Sequence, residues 1–168
     1  LHWKQGNGIQ SDTPEYFLDN KRINAGWVTT FNTKAIVSEN RCTKIPKDTD
    51  HYLATMFGCA ITTAFGVVEN NANLKVGESV VVYGAGGIGL NIIQASKLVS
   101  AYPIIAVDII QKRLDLAKLL GATHTINVNN EDFDSSMKKI LEDGNLKVFI
   151  DNTGLPNVIE KGYKFVSP

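Results

Sequence analysis

Four glycines, Gly84, Gly86, Gly87 and Gly89, stand where an apolar run, "SVVVYG", gives way to a helical pattern, "GGIGLNIIQASKL". Glycine weakens a strand or helix interior by about 0.5–1 kcal/mol relative to alanine. A handover with four of them makes sense only if the missing Cβ atoms are needed. The run Gly84-Ala85-Gly86-Gly87-Ile88-Gly89 satisfies G-x-G-x-x-G, and Asp108 follows nineteen residues after Gly89, at the end of the next apolar run. Glycine-rich turns are common, so the hexad alone is weak. A strand before it, a helix after it and a distal carboxylate together meet the contextual tests of a dinucleotide fingerprint. In that reading Gly84 permits the tight turn, Gly86 lets the backbone approach a pyrophosphate, and Gly89 lets the helix pack closely on the strand. The unpaired amides and dipole of the helix opening at Gly87 and Ile88 meet the phosphate charge.

The rest of the C-terminal part keeps the same alternation. Strands are predicted at 79–84, 104–108, 123–128 and 147–152, with helices at 87–99, 111–120 and 131–143 between them. Gly121 is placed as a C-cap. Short apolar strands separated by helices of ten to fifteen residues imply βαβ units and a parallel sheet. Right-handed crossovers give the strand order 3-2-1-4, so the fold class is α/β, a Rossmann-type doubly wound parallel sheet.

Upstream the pattern is weaker. Residues 1–25 are rich in Gly, Asn, Asp and Lys and read as loop or extended chain, while "WVTTFNTKAIVSENRCTKIP" (27–46) alternates weakly and predicts short antiparallel strands. A helix is predicted from about Asp48–Asp50, with Leu53, Met56, Phe57, Ala60, Ile61, Ala64 and Val68 as its core face. Thr55, Cys59, Thr62, Thr63 and Gly66 form the opposite, small and polar side, which must face something. The uncharged run Tyr52–Val68 approaches membrane-span length, but three threonines and two glycines dilute it, and it reads as a buried soluble helix.

Composition excludes some function classes. With 17 basic and 17 acidic residues, scattered and of zero net charge, the chain has no electrostatic footprint for nucleic acid or an anionic membrane. Two cysteines, Cys42 and Cys59, make neither a disulfide framework nor a four-cysteine zinc site, so a reducing cytoplasm is the expected compartment. No signal-peptide h-region opens the chain. It starts at Leu1, not Met, as a fragment or a processed chain would.

Asp108 bears on the choice of nucleotide. A carboxylate there accepts hydrogen bonds from the ribose hydroxyls of NAD and repels a 2′-phosphate. Ile109 follows where an NADP site often has a small residue or an arginine. Lys112 and Arg113 lie near enough to complicate the choice, yet NAD is the expected cofactor, and replacing Asp108 by glycine should narrow the gap to NADP.

The run from "FGCAITTAFG" through "VGESVVVYGAGGIGLNIIQASKL" to "IIAVDIIQKRLDLAKLLGATHTINVNNED" resembles the zinc-containing medium-chain alcohol dehydrogenases, densely so from Gly58 to Thr153. The resemblance implies that residues 1–47 are part of a GroES-like β catalytic domain and residues 48–168 an NAD-binding Rossmann domain, incomplete at its C-terminus. It places Cys59 on a cysteine that ligates catalytic zinc, and Thr63 on a threonine that touches the nicotinamide. Ile88 falls behind the nicotinamide ring and Arg113 beside the adenosine ribose. Thr153 and Gly154 fall where backbone lies against the cofactor. The implied activity is NAD-dependent oxidation of an alcohol, or reduction of an aldehyde, with zinc as Lewis acid and hydride passing to the nicotinamide. Full-length relatives imply a homo-oligomer acting on a small molecule.

Departures from the family pattern qualify this. Of the three histidines, His2, His51 and His124, none stands in a zinc-ligand motif. One cysteine cannot hold a catalytic zinc that takes three protein ligands, so the 168-residue chain alone is expected to bind little zinc and to be inactive. Two other readings stay open: a zinc-free quinone or enoyl reductase using NADPH, and a non-catalytic nucleotide-sensing module.

Overall fold

A computed structural model describes residues 8–23, 26, 28–142 and 144–166. His2, Trp27 and Asp143 of the sequence reading lie outside them. The chain divides into two compact units, residues 1–50 and 51–168.

In the first unit, β1 (Tyr16–Leu18) pairs antiparallel with β2 (Lys21–Ile23). Asp19 and Asn20 between them both have positive φ, 48° and 61°, as a two-residue type I′ hairpin requires. The strands predicted at 27–46 do not form among the described residues there, which hold one 3₁₀ turn, Glu39–Arg41. Strands need a pairing partner and a covered face. Phe31 and Ile36 have neither and stand fully or largely exposed. This unit is tied instead by polar contacts. Ser38 Oγ accepts from the Ser11 amide (3.1 Å), and Asn40 Nδ2 donates to Gln10 Oε1 (2.8 Å).

The second unit opens with α1 (His51–Phe57) and α2 (Ala60–Gly66), separated by a break at Gly58–Cys59 and followed by a π-helical turn, Val67–Asn71. The predicted core face holds only in its C-terminal half. Ala64 and Val68 are buried and Ala60 and Ile61 partly so, whereas Leu53, Met56 and Phe57 are exposed. The physical reason is that α1 packs on α2, and α2 in turn on the sheet's first helix, so cover begins only at Ala60. The run expected to be a buried helix is not one: only 11 % of the most apolar window of His51–Asn71 is buried, and by length and composition alone this segment could cross a membrane.

Four parallel strands come next: β3 (Val80–Tyr83), β4 (Ile104–Asp108), β5 (His124–Asn127) and β6 (Val148–Asp151), in the order β5-β4-β3-β6. That is the predicted 3-2-1-4. The crossovers are α3 (Gly87–Leu98), α4 (Gln111–Leu120) and α5 (Phe133–Leu141), and α6 (Pro156–Phe165) succeeds β6. Successive strand residues point to opposite faces. Val80, Val82, Ile104 and Ala106 pack with Ile92 and Ile93 of α3, Leu114 and Ala117 of α4, and Ala64 and Val68. Val81, Tyr83, Ile105 and Val107 pack on the other face with Phe133 and Met137 of α5 and Val158 of α6. Helices on both faces bury the two central strands, which explains their unbroken apolar runs. Asp132 caps α5 by accepting from the Ser135 amide (3.0 Å) and hydroxyl (2.7 Å). These bonds hold its carboxyl below the usual aspartate range.

Candidate nucleotide-binding site

The carboxyl ends of β3, β4 and β6 meet at the glycine turn. The ladder carries two bonds beyond the strands: the Gly84 amide donates to Val107 O (2.7 Å) and the Asn152 amide to Tyr83 O (2.8 Å). Gly84 itself has φ +95°, in the left-handed region that favours glycine. A Cβ there would also press Thr153 Cγ2 (3.2 Å) and Asn152 Cβ (3.3 Å). Gly89 is the tighter constraint. A Cβ on it would lie 2.0 Å from Gly84 O, so α3 sits against the turn at a distance no side chain permits.

At Gly86 and Gly87 the opposite holds: a Cβ would meet no atom within 4 Å. The turn is thus closed by backbone behind and open in front, at the amide end of a twelve-residue helix whose first-turn N–H groups have no intrahelical acceptor. A diphosphate fits such a concavity.

Asp108 forms the β4 shoulder of the turn. Its side chain is only 4 % exposed; Oδ2 accepts from the Ala85 amide (2.8 Å) and Oδ1 from the Ile110 amide (2.9 Å). Arg113 Nη1 lies 3.6 Å from Oδ2, on a side chain that is half exposed. Each carboxylate oxygen can accept twice, so acceptor capacity remains. The finding that sequence reading lacked is that this carboxylate first ties the glycine turn to the next crossover. Ile109, directly after it, is exposed, and Ile88 in the first turn of α3 is half so.

The β6 shoulder is Asp151-Asn152-Thr153-Gly154. Asp151 Oδ1 accepts from the Thr153 amide (2.9 Å) and hydroxyl (2.6 Å), and Oδ2 from the Gly154 amide (2.9 Å). Asn152 Nδ2 lies 3.5 Å from Gly84 O. Thr153 and Gly154 are expected here from the sequence; Asp151 and Asn152 are not. An Asp-Asn-Thr-Gly string after an apolar strand is a side-chain-bonded turn signal that could have found them.

Cys59 and Thr63 stand together, Sγ to Oγ1 3.8 Å, with Cys59 exposed and Thr63 half-buried. The Thr63 amide donates to Cys59 O (2.8 Å), and the thiol caps nothing. Among the described residues no group of three His, Cys, Asp or Glu side chains gathers as a metal site would need. The described residues by themselves therefore do not make up the donor set of a catalytic zinc. Cys42 is free and exposed in the first unit.

A family model described as zinc-binding dehydrogenase matches residues 87–168. S-(hydroxymethyl)glutathione dehydrogenase of Escherichia coli O139:H28 is 37 % identical over 151 residues, spanning 89 % of this chain and 40 % of that protein. The crystal structure of benzyl alcohol dehydrogenase from Acinetobacter calcoaceticus superposes with a TM-score of 0.73 at 38 % identity, over 79 % of this chain and 36 % of that one. A zinc-binding-domain alcohol dehydrogenase from Burkholderia ambifaria gives 0.72 at 36 % identity, with the same two coverages. The chain spans about two fifths of the length of the curated relatives it matches. Sheet order, glycine turn and the matched relatives together indicate the zinc-containing medium-chain alcohol dehydrogenase family, and what this chain matches is its cofactor-binding part.

Proposed function

We propose that the chain binds NAD as the nucleotide-holding part of an NAD-dependent, zinc-type alcohol dehydrogenase that interconverts a small alcohol and its aldehyde. The observation that carries the reading is the glycine turn: closed behind by the Gly89–Gly84 approach, open in front of Gly86 and Gly87, and shouldered by a buried carboxylate. In this reading the amides of the turn and of the first turn of α3 take the diphosphate. Asp108 takes the adenosine ribose beside Ile109 and Arg113, and Thr153 and Gly154 line the cofactor from the β6 side. Ile88 and Thr63 hold the nicotinamide ring. The nicotinamide, when bound, supplies the carbon that accepts hydride; the protein supplies alignment and excludes water.

Cys59 is assigned a single zinc ligand position, which the described residues do not complete to a metal site. Residues 1–47 are assigned to the GroES-like catalytic domain and residues 48–168 to the Rossmann domain. The reading includes a cytoplasmic homo-oligomer, and the neutral, scattered charge supports its having no nucleic-acid or anionic-membrane partner. Calorimetric titration of the chain tests the reading. NAD should bind measurably and more tightly than NADP; absence of heat with both nucleotides overturns it.

A further inference from the structure

We propose that Asp151 is a positioning residue for the nucleotide: it holds the glycine turn in its binding shape by fixing the strip Asn152–Gly154 behind it. The inference rests on the nucleotide-binding reading and adds to it a residue that need not touch the ligand.

Strand β6 ends at Asp151, and the side chain of that residue orders the loop leading to α6. The Asp151 carboxylate accepts three hydrogen bonds at 2.6–2.9 Å, two from Thr153 and one from the Gly154 amide. The Thr153 hydroxyl, its proton committed to Asp151, then accepts from the Leu155 amide (3.2 Å) at the start of α6. Bonds to an ionised acceptor are about twice as strong as neutral ones, so this carboxylate dominates the local order.

The ordered strip is also the wall on which Gly84 leans. Thr153 Cγ2 and Asn152 Cβ lie 3.2 and 3.3 Å from the place of a Gly84 Cβ, and Asn152 Nδ2 lies 3.4 Å from the place of a Gly89 Cβ. Asp151 moreover sits opposite Tyr83 in the β3–β6 register, directly before the turn. A strip that loosens there leaves Gly84 free to sample other conformations, since glycine has no side chain to restrain it.

The experiment uses the 168-residue chain and the variants Asp151→Ala, Asp151→Asn and Thr153→Val. NAD affinity is read by calorimetry, and amide hydrogen exchange of residues 84–89 is compared with that of α5 in the absence of nucleotide. Asp151→Ala should weaken NAD about tenfold, or roughly 1.4 kcal/mol. It should also speed exchange across 84–89 while leaving α5 unchanged. Asp151→Asn keeps an acceptor for Thr153 but offers N–H to the Gly154 amide, so it should fall between parent and alanine. Thr153→Val removes the hydroxyl relay and should act in the same direction.

Unchanged exchange at 84–89 in Asp151→Ala overturns the proposal, as does uniform acceleration that includes α5. Should the alanine variant fail to fold, Asp151→Asn and Thr153→Val decide by the same two readouts. If the parent itself does not bind NAD, the nucleotide reading falls, and the exchange comparison still decides whether Asp151 governs the turn.

Discussion

The two shoulders of the glycine turn solve the same problem differently. On the β4 side, Asp108 reaches across to the neighbouring crossover: one oxygen takes the Ala85 amide inside the turn, and the side chain is nearly removed from solvent. On the β6 side, Asp151 folds back on its own loop and takes three donors from Thr153 and Gly154, in a partly exposed setting. The first carboxylate grips the turn and the second props it. A buried acceptor cannot be removed without stranding amides, whereas an exposed one is partly replaced by water. The β4 shoulder should therefore matter more to stability, and the β6 shoulder mainly to the shape of the turn.

The largest expected effect lies between the shoulders. Gly89→Ala places a methyl 2.0 Å from Gly84 O, and backbone lies on both sides of the contact, so neither partner can rotate away. Overpacking of this kind costs about 1–3 kcal/mol. Because α3 would be pushed off the turn, NAD binding should be lost from calorimetric detection, with a Tm lower by roughly 3–10 °C. A variant that binds like the parent would mean that neither shoulder is working against a fixed turn. Next comes Asp108→Ala, which strands the Ala85 and Ile110 amides for about 1–3 kcal/mol and should weaken NAD at least about tenfold. Its Tm should fall further than that of Asp151→Ala. The reverse order in thermal melts would break the distinction between grip and prop.

Much of this site was legible from the sequence alone. The extents of α4 and of β4 coincide with the predicted runs, and the order β5-β4-β3-β6 follows from the alternation and crossover hand. Those elements bury their apolar faces within their own unit, so the local pattern and the tertiary outcome agree. Where they do not agree, the sequence misled. Leu53, Met56 and Phe57 carry helical spacing, but their unit covers them only in part, leaving them 40–54 % exposed. Val28, Phe31, Ala35 and Val37 alternate weakly but no strand forms there among the described residues, whereas the strands that do form at 16–18 and 21–23 owe their pairing to two positive-φ residues, Asp19 and Asn20. Helix α6 went unread, although Pro156 at its first turn and Val158 and Gly162 on its buried side announce it. The bond sets of Asp108 and Asp151 were invisible for a different reason. A motif says which residue type stands at a position, not which amide its oxygen meets.

Tyr83 offers the finest test, because it stands between the shoulders at the end of β3. Burial first, then the charge of Asp151, then that of Asp108, push its phenol above the ordinary value of 10.0. As pH rises past 10.0, the unfolded chain releases this proton while the folded chain still holds it, so stability present below that pH is lost as pH climbs through the folded value. Tm measured between about pH 9 and pH 11, a window spanning the ordinary phenol range, should accordingly fall less steeply in Tyr83→Phe than in the parent, while the two proteins melt alike near about pH 7. Because the β6 carboxylate outranks the β4 carboxylate in this shift, Asp151→Asn should flatten the alkaline limb more than Asp108→Asn. Equal flattening would place both charges at the same electrostatic distance from the phenol. The two shoulders would then differ only in which amides they hold.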